Sequence, residues 1–417
     1  MSLAVQRTEL PGGLAVITEH MPGVRSASLG VWVRAGSVHE TREDMGVSHL
    51  LEHMVFKGTG RRTARDLALV LERLGGSLDA YTTREHTSYQ ARVLDEDVEV
   101  AIDVLSDLVL DPLLRAADLE LEREVVLEEI ATVEDTPDDL VFDLHSELLW
   151  GEHPYGYSIL GTPDSVGALT TDDLRRVHND RYHGGRLLIV AAGHVQHDAV
   201  LEAVQRAFGS ARDGSGPQRR DADHSNGGSD GAGPVRSVIE RATAQTHLAW
   251  GCPTFGHGDP RRFAMVLLSN AFGGGMSSRL FQRVREELGL AYAVFAYQSF
   301  YADAGVNGVY VGTRPEWADR AEQVVNEELA RLAADGITAE ELDDVKGQVK
   351  GQIVLSLESS SSRLHRLAGT DLYGEPFRTM DEIKALVDAV TLDDVATLAA
   401  QYYSPDRQSL LRLGPAS

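Results

Sequence analysis

Apolar positions along the chain change their period several times, and the changes come twice in the same order. Alternating or continuous apolar runs at Leu14–Glu19 and Ala27–Ala35 predict strands. Helical spacing follows over Val47–Phe56 and Ala64–Leu74, then strand patterns at Leu78–Thr82 and Thr87–Leu94. The second round has strands at Val238–Glu240 and Thr246–Cys252 and helices at Arg262–Ala271 and Ser278–Glu287. Strands at Ala291–Phe300 and Gly305–Val311 complete it. Long helical patterns close each round: Leu119–Val133 and Asp138–Leu149 in the first, Trp317–Ala334 and Glu340–Leu355 in the second. This order predicts an α+β fold of two duplicated domains, each a largely antiparallel sheet with helices packed on one side.

Between the rounds, residues 209–234 read GSARDGSGPQRRDADHSNGGSDGAGP, almost without large apolar side chains. Such a composition buries too little surface to order itself and predicts a flexible linker. The expected domains are therefore 1–208 and 235–417. Each is close to the size at which a single core is stable. The formal charge of 39 − 64 = −25 argues against nucleic acid and anionic membranes as partners and mildly favours basic peptides. No apolar run reaches the roughly 18–20 residues of a membrane span. The first 13 residues lack a basic start followed by an apolar stretch, which predicts no signal peptide. The single cysteine, Cys252, excludes internal disulfides and multi-cysteine metal sites, so a cytoplasmic setting is expected.

The sharpest local feature is His49-Leu50-Leu51-Glu52-His53, inside VSHLLEHMVF. Positions i, i+3 and i+4 share one face of a helix, so His49, Glu52 and His53 point the same way. Two imidazoles one turn apart can grip one Zn²⁺ ion. A carboxylate beside them can take a proton from a water attacking a peptide carbonyl. This is the inverted zinc motif H-x-x-E-H. Its flanks, Leu50, Leu51, Met54, Val55 and Phe56, are apolar, and polar groups in such a helix need partners, which a metal supplies. Zinc needs a third protein ligand, and DLELEREVVLEEIATVE (118–134) offers Glu120, Glu122, Glu124, Glu128 and Glu129. Glu122 and Glu129 lie seven apart and so nearly on one face, but composition does not choose among the five.

HLLEHMVFKGT, then LDAYTTREHTSYQ, then EREVVLEEI resembles the pitrilysin/insulinase family of zinc peptidases. More narrowly, the chain is similar to the short-chain branch that includes mitochondrial processing peptidase and its bacterial relatives, from Leu3 to about Leu413. The resemblance implies a third ligand 76 residues after the second histidine, at Glu129, and a supporting carboxylate seven residues earlier, at Glu122. It implies that Arg285 and Tyr292, within GGGMSSRLFQRVREELGLAYAVFAY (273–297), hold substrate carbonyls and stabilise the oxyanion. The glycines there have no Gly-Lys-Ser/Thr ending and predict a flexible helix entry, not a nucleotide site. Where the first half has HLLEH the second reads LLSNAFGG, one active domain followed by an inactive copy, as the resemblance implies.

The resemblance further implies that Leu78–Thr82 is a cleft-edge strand that takes the substrate as an added strand, through Asp79, Ala80 and Tyr81. Asp79 stands where many relatives have Asn. The predicted function is a zinc metalloendopeptidase: Zn²⁺ on His49, His53 and Glu129, Glu52 as general base, Arg285 and Tyr292 as donors. Peptides are the expected substrates and a homodimer the expected active unit. The alternative is a non-catalytic partner subunit, but such relatives lack a ligand or the base, and all four residues are present here. His194 and His197 would not share one face, and His145, His153, His178 and His183 read as structural. The serines at 359–362 read as a helix interruption with no histidine partner.

Overall fold

A computed structural model describes residues 5–209, 211 and 233–416; the predicted linker falls almost wholly outside them. The first sheet contains β1 (Val5–Glu9), β2 (Ala15–His20), β3 (Ser26–Val33), β4 (Ser77–Thr82), β5 (Thr87–Leu94) and β6 (Leu187–Gly193), in the order β1-β2-β6-β3-β5-β4. The second contains β7 (Arg236–Glu240), β8 (Thr246–Phe255), β9 (Ala291–Phe300), β10 (Ala304–Thr313) and β11 (Ser409–Gly414), in the order β7-β11-β8-β10-β9. In each sheet one described pair is parallel, β2 with β6 and β7 with β11; the rest are antiparallel. Without β1, the two sheets match strand for strand in order and direction. This is the duplicated α+β architecture that the repeated pattern predicts.

The central strands are buried on both faces, which is why β3 and β6 read as nearly continuous apolar runs. On one face of the first sheet, Leu29, Val31 and Val33 pack with Leu50, Leu51, Met54 and Val55 of helix Val47–Val55 and with helix Val98–Leu110. On the other, Trp32, Leu188 and Val190 meet Leu364, Leu367 and Ala368 of helix Ser360–Leu372. Gly30 leaves room for that indole, since a Cβ there would lie 2.5 Å from the Trp32 ring.

Helix Ser360–Leu372 comes from the second round of the sequence, and the exchange is mutual. The chain forms two compact units; the first includes Ser356–Phe377 and the second includes Thr132–Gly156. Helix Pro137–Trp150 packs Val141 against Ala249, Tyr310, Leu411 and Leu413 of the second sheet. Two expectations change. The helix predicted over Asp138–Leu149 serves the second sheet, not the first, and the boundaries at 208 and 235 are each crossed by one exchanged segment. Helices also cover both faces of each sheet, because both faces are apolar and each needs a cover. The serine run begins in the break at residues 357–359 between helices Ala339–Ser356 and Ser360–Leu372, with Ser359 at the N-cap of the second. No helix among the described residues is long and apolar enough to cross a membrane.

Candidate active site

Helix Val47–Val55 starts at Gly46, whose φ of 90° falls in the left-handed region. Gly46 has no side chain to cap the helix, and Glu40 does so from outside. Its carboxylate accepts from the backbone N–H groups of Gly46 and Ser48, both at 2.8 Å. The apolar positions of the helix lock into the core, so its polar stripe of His49, Glu52 and His53 is held at a fixed angle.

Opposite this stripe runs helix Ala116–Glu134. Of its five candidate glutamates, Glu120, Glu124 and Glu128 are exposed, Glu122 is buried and Glu129 is half-buried. Glu129 Oε2 lies 3.6 Å from His49 Nε2, and its Oε1 lies 3.6 Å from His53 Nε2. His49, His53 and Glu129 form the one group of three or more among the described residues that could hold a metal ion, each offering an atom within 4.8 Å of the others. Ligands about 2.0–2.1 Å from a tetrahedral zinc stand about 3.3 Å apart, close to the spacing seen. Burial, with the His53 charge nearby, pushes the His49 imidazole down to about 4, so near neutral pH it is in the form that ligates. His53 Nδ1 faces Glu122 Oε2 at 3.3 Å, and Lys57 Nζ grips Glu122 Oε1 at 2.5 Å. Donation from Nδ1 to that carboxylate leaves the Nε2 lone pair for a metal. The residues present therefore fit a zinc ion.

Glu52 is buried on the same stripe, and Thr82 donates a hydrogen bond of 2.5 Å to its Oε2. Burial pushes the Glu52 carboxyl up, the Thr82 bond and the His53 charge pull it down, and Glu129 pushes it up. The arrangement thus joins three ligand atoms to a carboxylate outside the ligand set.

Residues 15–163 match the family described as Insulinase (Peptidase family M16), and residues 168–349 match the Peptidase M16 inactive domain. The chain belongs to peptidase family M16. Its relatives include proteins named uncharacterized zinc proteases. One from Mycobacterium leprae is 42% identical over 99% of this chain and 92% of its own length. One from Bacillus subtilis is 39% identical over 96% of both. A peptidase M16 inactive domain from Pseudomonas fluorescens and a protease from Helicobacter pylori share the fold. Each has a TM-score of 0.89 at 21% identity; they cover 99% of this chain and 98% and 99% of their own.

In this M16 chain the other expected site residues fall into two groups. Arg285 and Tyr292 are in the second unit, on a π-helical turn (Phe281–Glu287) and on β9. The Arg285 guanidinium stacks on the Tyr292 ring at 4.4 Å and on Phe281 at 4.7 Å, and Arg285 Nη1 donates to the Tyr292 carbonyl at 3.2 Å. The pair is thus brought together, with Tyr292 77% exposed. Asp79, Ala80 and Tyr81 lie on β4, which ends the first sheet and, among the described residues, pairs only with β5. The Tyr81 side chain is already engaged: its hydroxyl accepts from Trp32 Nε1 at 3.3 Å and its ring stacks on His365.

Lys57 and Thr82 escaped the sequence reading. Lys57 stands four residues beyond His53 and Thr82 two residues beyond Ala80, but no motif spacing ties either side chain to the H-x-x-E-H stripe. Two of the other described histidines show structural partners. His197 lies between the hydroxyls of Thr8 and Thr18, and His145 contacts the Ser409 carbonyl and the Tyr297 hydroxyl. A cavity of about 580 Å³ in the first unit, lined by Arg61, Asp107, Arg175 and His178 among others, includes none of His49, His53 and Glu129.

Proposed function

We propose that this chain is a zinc-dependent endopeptidase that cuts peptides bound as extended strands, with Glu52 as its general base. The observation that carries the proposal is the meeting of His49, His53 and Glu129 within 4.8 Å, with Glu52 beside them. The M16 family match and relatives named zinc proteases support the choice of metal and reaction. Bound by His49, His53 and Glu129, a zinc ion would polarise the scissile carbonyl and lower the pKa of a water molecule. Glu52 takes a proton from the attacking water at its carboxylate and passes it to the leaving nitrogen. Glu122 holds the His53 tautomer, and Lys57 holds Glu122. The free backbone of β4 pairs with the peptide and gives affinity with loose sequence preference.

Arg285 and Tyr292 are donors suited to a substrate carbonyl or its oxyanion. We place them in the active unit through a homodimer. Long-chain members of the resembled family carry the zinc in the first of four such domains and this pair in the fourth, so a two-domain chain recruits the fourth from a second copy. The cytoplasm is the proposed location.

Digestion of a mixed peptide library with and without a chelator, read by mass spectrometry, tests the function. Cleavage that stops with the chelator and returns with zinc is expected; chelator-insensitive cleavage contradicts the proposal. Intact peptides under all conditions would favour a non-catalytic subunit.

A further inference from the structure

The base and the strand proposed to receive the peptide are joined by one side chain. Thr82 is the last residue of β4, the edge strand. Along that strand Leu78 and Ala80 pack against the core beside helix Val47–Val55, and Tyr81 turns to the opposite face. Strand alternation places Thr82 on the same face as Leu78 and Ala80. There its hydroxyl reaches Glu52 Oε2 at 2.5 Å.

Both neighbours of Thr82 are fixed. Tyr81 is held by Trp32 and His365. Thr83 closes a tight turn, its N–H and hydroxyl donating to the His86 carbonyl at 2.8 and 2.9 Å. Thr82 is therefore a rigid donor on a rigid strand end. Glu52 differs, because the terminal torsion of a glutamate is broad and leaves its carboxylate plane free to turn. A short hydrogen bond from a hydroxyl to an ionised carboxylate is strong enough to set that plane. It also makes the two oxygens unlike: Oε2 is occupied, and Oε1 has no hydrogen-bond partner among the described residues.

We propose that Thr82 is a positioning residue that pins the Glu52 carboxylate through Oε2 and leaves Oε1 to move the proton. The strand that receives the peptide backbone thereby also sets the base, so substrate and base share one register. This rests on the endopeptidase reading above.

Thr82→Val, Thr82→Ser and wild type, each measured for kcat, KM, zinc per chain and melting temperature, test the inference. Valine keeps the shape and removes the donor, whereas serine keeps the donor. Thr82→Val should lower kcat roughly 10- to 100-fold, the scale of a lost hydrogen bond to a charged group. Its KM should stay within about twofold, with zinc content and melting temperature unchanged, and Thr82→Ser should keep about half of wild-type kcat or more. A Thr82→Val kcat within twofold of wild type overturns the inference. So does a serine variant as slow as the valine one, or a loss in the valine variant that comes with lost zinc or raised KM. Wild type with zinc and Glu52→Gln serve as controls. If wild type cleaves and Glu52→Gln does not, a normal Thr82→Val sinks only the role of Thr82. If wild type with zinc cleaves nothing, the endopeptidase reading fails and this inference with it.

Discussion

Glu52 and Glu129 are both carboxylates beside the histidine pair, yet the geometry gives them different partners. Glu129 turns an oxygen toward each imidazole Nε2, whereas Glu52 Oε2 is taken by Thr82. Replacing Glu52 by Gln keeps the shape and removes the proton acceptor. Glu129→Gln weakens the ligand itself and should lower zinc affinity at least about tenfold, measured by competition with a chromophoric chelator. Glu128→Gln, on the exposed side of the same helix, should leave affinity unchanged. A Glu128 variant that loses zinc while the Glu129 variant keeps it would contradict the assignment. At this scale the shared face of His49, Glu52 and His53 was legible, because i, i+3 and i+4 fix it whatever the tertiary context. Which glutamate meets the two histidines was not legible from composition. Its helix is rich in glutamate all round, and only packing separates buried Glu122 and half-buried Glu129 from the exposed three.

Helix Val47–Val55 depends on how it begins. A Cβ on Gly46 would lie 2.6 Å from the Leu160 carbonyl oxygen, besides the strain of a positive φ. Gly46→Ala should therefore cost about 1–3 kcal/mol in denaturant unfolding and weaken zinc binding with it. A second element carries a pH signature. Arg279 grips Glu341, near the start of helix Ala339–Ser356, at 2.6 and 2.7 Å. That bond, with the Thr338 N–H, holds the Glu341 carboxyl down to about 2 from 4.5 despite the burial that opposes it. A depressed carboxyl stabilises fully above its unfolded pKa and loses that contribution as pH falls. Glu341→Gln should thus trail wild type by about 1–2 kcal/mol at pH 6, with the gap narrowing below pH 4.5. A gap that widens on acidification would contradict the pairing. Eight of the eleven described strands and the motif helix were legible because their periods are unmixed, whereas β1, β6 and β11 were not assigned from the sequence. Helix Ser360–Leu372 was not, since four consecutive serines hide the start of its Leu364, Leu367, Ala368 stripe. The π-helical turn at Phe281–Glu287 also escaped, because its apolar spacing reads as an ordinary helix.

The duplication was legible in the order of elements, but the exchange of helices was not. Periodicity says which face of a helix is apolar, not which sheet will cover it. The exchange has a consequence for dissection. A fragment of residues 1–208 lacks helix Ser360–Leu372 and would expose Trp32, Leu188 and Val190. It should aggregate or bind hydrophobic dye, while in the full chain Leu367→Ala should cost about 2–5 kcal/mol. The dimer has its own test. Glu52→Gln and Tyr292→Phe chains, dissociated, mixed and reassociated, should recover roughly a quarter of wild-type activity if sites are composite. No recovery would place the pair on its own chain's site. The most direct test of the zinc peptidase itself sets metal content against turnover in wild type and Glu52→Gln. One zinc per chain in both, with peptide cleavage in wild type alone, is the predicted result. Normal cleavage by Glu52→Gln, or a fully active wild type that holds no zinc, would contradict it.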